Sequence, residues 1–81
     1  MSLENLKTDA QAVGLNRETI GYLSNLHELA VSFNTYSMWD RFYDAVSTLV
    51  SCTPLESPAF QFYLNMMQAI QNHKGGSHEY A

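Results

Sequence analysis

Three histidines, a lone cysteine and a close pair of aspartates are the side chains in this 81-residue chain best suited to bind metal, move protons or act as nucleophiles. His27 stands among apolar residues. A local metal site on a helix needs a fellow ligand three or four residues away, and those positions hold Leu23, Ser24, Ala30 and Val31, which leaves only residues distant in sequence to complete one. His27 therefore reads as a buried, hydrogen-bonded imidazole. His73, His78 and Glu79 bracket Gly75-Gly76, at a spacing that matches no established structural metal site.

Asp40 and Asp44 lie one helical turn apart beside Arg41. Acid–base work by paired carboxyls needs burial in a cleft, but the apolar periodicity puts both on the wet side of their segment. Asp40 is explained by its place near a positive helix N-terminus. Cys52 precedes Thr53-Pro54 at a helix C-terminus, where the dipole disfavours a thiolate, and no histidine is near in sequence. The chain has no phosphate-cradling glycine loop, no paired zinc ligands and no serine elbow. We expect no catalytic residues, no cofactor and no metal. An enzyme would have to assemble its site between subunits from His27, an acid and a tyrosine.

Four segments must position these residues. Ser2 can cap a first helix whose seam is Leu3, Leu6, Ala10 and Val13, and Gly14-Leu15 reads as its left-handed stop. Asn16 caps a second segment, in which Ile20, Tyr22, Leu23, Leu26, Leu29, Ala30, Val31 and Phe33 sweep an apolar arc of roughly 200° at the helical pitch. Ser32 to Ser37 is a weak break, read as a bend or short loop that leaves open whether segments 17–33 and 37–52 are continuous. Ser37 with Asp40 forms an expected capping box for a third segment, and Thr53-Pro54 ends it. Ser57-Pro58 opens a fourth helix, which Gly75-Gly76 closes. The sequence thus predicts an all-α, three- to four-helix bundle forming one domain over 1–76, with a flexible C-terminal tail over 77–81.

Between Ala45 and His73 the single formal charge is Glu56, and charged residues are 15% of the whole chain, against an ordinary ~25%. Such a surface opposes self-association weakly. The cations Lys7, Arg17, Arg41 and Lys74 are scattered in a chain of net charge −4, which argues against nucleic-acid binding. No run reaches the roughly 18 apolar residues of a membrane span, the N-terminus lacks the pattern of a secretory signal, and one cysteine suits a reducing cytoplasm.

The apolar arcs of the last three segments exceed the ~100° stripe that a helix in a small monomer needs. The surplus points to a core shared between copies, with a homodimer favoured. Aromatic and methionine side chains are those that interface centres favour, so Trp39, Phe42, Tyr43, Phe60, Phe62, Tyr63, Met66 and Met67 are the expected interface. The leading expectation is a non-enzymatic, homo-oligomeric protein-interaction module, such as a small regulator, adaptor or inhibitor, with a protein target as a further partner. The alternative is a small-molecule-binding or sequestering protein with a pocket between helices or subunits.

Overall fold

Glycine, proline and capping side chains set the helix ends from Gly14 to Pro58. The computed structural model describes residues 3–75, and these form a 3-10 turn at Leu3–Asn5 and four α-helices, with no strand among them. The helices are α1 (Leu6–Ala12), α2 (Arg17–Phe33), α3 (Tyr36–Ser51) and α4 (Pro58–Gly75). The expected cap at Ser2, the stop at Gly76 and the tail over 77–81 lie outside the described residues. Asn5, at the entry to α1, makes no side-chain capping bond.

Beyond α1 the backbone turns on Gly14, at φ +85°. Its N–H donates to the Gln11 carbonyl, and the Leu15 N–H donates to the Ala10 carbonyl, both at 3.1 Å. This pair of bonds is the Schellman closure, which satisfies two carbonyls that the helix end would otherwise strand. At the start of α2, Asn16 Oδ1 accepts from the Thr19 N–H at 2.7 Å. At the start of α4, Ser57 Oγ accepts from the Ala59 N–H at 3.2 Å, and Pro58 fills the first helical position, where no N–H is needed.

The break between α2 and α3 is shorter than the sequence suggests. Asn34 adopts φ 50°, ψ 42° and Thr35 is extended, so two residues separate the helices and segments 17–33 and 37–52 are not continuous. The expected capping box of Ser37 and Asp40 does not form. Thr35 Oγ1 accepts from the Met38 N–H at 3.3 Å, which starts α3 one residue ahead of Ser37. Asp40 is then freed to pair with Lys74, at 2.7 Å.

The core takes one seam from each helix: Leu3, Leu6 and Ala10, then Leu23, Leu26 and Ala30, then Trp39, Phe42 and Val46, and finally Ala59, Phe62, Tyr63, Met66 and Ile70. Burying each larger side chain contributes about 1.5–3 kcal/mol. α4 packs mainly on α3 and also meets α1, so the wide apolar arc of α4 is absorbed largely within one chain. The molecule measures 39 × 21 × 18 Å. Helix axes pack 8–10 Å apart, so a body this thin is two helices deep and each helix keeps a face to water. No helix of the described residues is long and apolar enough to cross a membrane.

Candidate functional site

The eight residues expected at an interface divide by burial. Trp39, Phe42, Phe62, Tyr63 and Met66 lie in the core of the chain itself, while Tyr43, Phe60 and Met67 are half-buried at its edge. Their helical spacing is the same whether the stripe faces a neighbouring helix or a partner, and here neighbouring helices cover most of it. The accessible large apolar side chains are instead concentrated on and just after α2. Tyr22, Leu29 and Phe33 are 52%, 42% and 63% exposed, and Tyr36 follows at 40%. Steps of seven and four residues put Tyr22, Leu29 and Phe33 on one line along the helix, at the border of the buried Leu26 seam. Leu55 and Leu64 are exposed elsewhere.

Val31 lies on the opposite border of α2, beside a cleft. Leu3, Glu4, His27, Val31, Ala69, Asn72 and His73 line a recess of about 510 Å³ there. Two adjoining recesses share His27: one of 390 Å³ extends to Leu6, Lys7, Thr8, Ser24 and Glu28, and one of 350 Å³ is bounded by Glu28, Val31 and Ser32. His27 is thus a half-buried wall residue rather than a core residue, and among the described residues no side-chain hydrogen bond holds its ring. Burial chiefly, and then the charge of His73, hold its pKa below the ordinary 6.5, while Glu28 and Glu4 pull it the other way. Ser24 is buried, and its Oγ has no hydrogen-bond partner among the described residues.

Below the cleft, Trp39 supports both histidines. The His73 ring stacks on the indole at 4.3 Å with an interplanar angle of 2°, and His27 stands tilted at 6.4 Å. The indole Nε1–H donates to Asn34 Oδ1 at 3.2 Å, so the residue that ends α2 also orients this ring. The next residue, Lys74, is almost fully covered. Its Nζ donates to Asp40 Oδ1 at 2.7 Å and sits 4.6 Å and 5.2 Å from the ring centroids of Tyr43 and Tyr36. The Asp40 hydrogen bond is the main reason its pKa stands above the ordinary lysine value.

The remaining candidates are not gathered into a centre. Asp44 is exposed one turn from the Asp40–Lys74 pair, and Cys52 is exposed as a free thiol. His78 and Glu79 lie outside the described residues, so the tail chelate considered with His73 has no geometry to report. Among the described residues no group of three or more His, Cys, Asp or Glu side chains is placed to hold a metal ion. The meeting of Glu4, His27 and His73 is a tertiary event between the 3-10 turn, α2 and α4. The wide arc of α2 is the one local sign that His27 borders an opening. No family model, curated protein or solved structure gives a significant match to the chain.

Proposed function

We propose that the chain is a non-enzymatic protein-interaction module that pairs with a second copy through the outer face of α2. The observation that carries this reading is the exposed line of Tyr22, Leu29 and Phe33, continued by Tyr36. Aromatic and leucine side chains left in water on one stripe recover free energy when a matching stripe covers them, at about 25 cal/mol per Å². A specific dimer buries ~800 Å² per partner, about a sixth of the 5117 Å² that one chain exposes. One face of a 17-residue helix with its surroundings can supply that area.

The polar neighbours of the line are Glu18, Asn25 and Ser32, and of these only Glu18 is charged. An antiparallel two-fold pairing sends the two Glu18 side chains to opposite ends, so the acidic chain meets little repulsion at the seam. Light scattering after gel filtration tests the pairing. At tens of micromolar the expected mass is twice the 9.2 kDa of the chain. Leu29→Glu and Phe33→Glu should each return it to one chain mass with helical circular dichroism retained, because both sites lie outside the core. A wild-type chain that stays single at 100 µM would exclude the reading.

A further inference from the structure

The three recesses that meet at His27 need an explanation that the α2 stripe does not provide. They open on the other border of that helix, and their volumes of about 510, 390 and 350 Å³ fall in the range of small-molecule sites. Their walls combine apolar surface from Leu3, Leu6, Val31 and Ala69 with the carboxylates of Glu4 and Glu28. Lys7 is the one lysine or arginine among these walls. Ser24 adds a second, independent sign. Its hydroxyl is buried without a hydrogen bond in the wall of the 390 Å³ recess, and a stranded buried donor is uncommon unless something outside the chain completes it.

We propose that this cleft binds a small organic amine, with its ammonium group towards Glu28 and its apolar body against Leu3, Val31 and Ala69. The Glu28 carboxylate selects a cation over an anion or a neutral isostere. The apolar wall selects an amine with an aromatic or branched hydrocarbon body over ammonia or a bare polyamine. The His73 ring, stacked on Trp39, forms a firm side to the cleft. The site meets the stripe only at the border residue Ser32, and none of Tyr22, Leu29 and Phe33 lines the recesses, so binding does not depend on pairing between copies.

Benzylamine, benzyl alcohol and benzoate share one ring and differ in charge, which makes them suitable probes of the full chain by 1H–15N NMR titration at pH 7.5. Benzylamine should shift the amides of Ser24, His27, Glu28, Val31 and Asn72 and bind roughly tenfold more tightly than benzyl alcohol, a difference of ~1.4 kcal/mol. Benzoate should bind more weakly than either. Glu28→Gln, at an exposed position that leaves the core untouched, should weaken benzylamine about threefold to tenfold without changing benzyl alcohol. The Leu29→Glu chain should bind benzylamine as the wild type does. Equal affinity for amine and alcohol, shifts centred on Tyr22 and Phe33, or an unaltered Glu28→Gln titration would each overturn the proposal.

Discussion

His27 shows how one side chain can be legible in type and misread in setting. Its place between Leu23 and Ala30 suggests a buried imidazole, yet the 3-10 turn and α4 stop short of closing over it. What one strand of sequence lacks is the distance between Glu4, His27 and His73, which lie on three different elements. The lowered pKa has a definite thermodynamic sign. The unfolded chain takes up the His27 proton near pH 6.5, and the folded chain takes it up only at lower pH. The stability this neutral imidazole contributes is therefore complete above about pH 6.5 and is lost as pH falls through that value towards the folded-state pKa. Urea denaturation at pH 7.5 and 5.5 should show a fall for the wild type that is smaller in His27→Gln. Equal falls would assign the acid sensitivity to other groups.

At the scale of the element, the helix boundaries were legible wherever a side chain or glycine dictates them. Gly14, Asn16, Ser57 and Pro58 all act as their types require. The α2–α3 junction was less legible because three candidate caps, Asn34, Thr35 and Ser37, stand within four residues, and tertiary pairing of Asp40 with Lys74 favours Thr35. Two glycines make a test of the same substitution with opposite signs. A Cβ at Gly14 would meet nothing within 4 Å, so Gly14→Ala reports backbone strain alone, about 1–2 kcal/mol of destabilisation from the left-handed φ. Gly21, inside α2, is equally open, and Gly21→Ala should stabilise by about 0.5–1 kcal/mol through helix propensity. In a domain this size that is a fall in Tm of roughly 4–16 °C for the first and a rise of roughly 2–8 °C for the second. Matching signs would show that the α1–α2 turn tolerates a side chain.

For the whole molecule, the bundle class followed from four helical periods and the absence of alternation, while the division of apolar residues between core and surface did not. Width of arc measures how much surface an element must cover, and α4 covers its own by meeting both α3 and α1. The ends of that assembly are tied by Lys74 and Asp40, 34 residues apart in sequence. Lys74 is 9% exposed and Asp40 43%, so the two halves of the pair are not equivalent. Asp40→Ala leaves a covered ammonium without its counter-charge and should cost about 2–3 kcal/mol, whereas Lys74→Met keeps the packed stem and lets Asp40 hydrate, for about 1 kcal/mol. Chemical denaturation of the two variants gives the order directly. A larger loss in Lys74→Met would place the main contribution in the Tyr36 and Tyr43 contacts instead.

The left-handed residue between α2 and α3 also carries a consequence for how copies of this chain can trade parts. Asn34 and the extended Thr35 together break what would otherwise run as a single rod from Arg17 to Ser51, and the Asn34 amide oxygen is held by the Trp39 indole. A β-branched residue there, such as Asn34→Val, disfavours the positive φ and releases the indole. Straightened, the rod would carry α2 away from its own α3, and its dry seam could then be satisfied only in a neighbour's bundle. Two non-helical residues thus stand between this fold and an exchanged dimer, and a crosslink within one chain between α2 and α3 would block the exchange while leaving surface pairing intact.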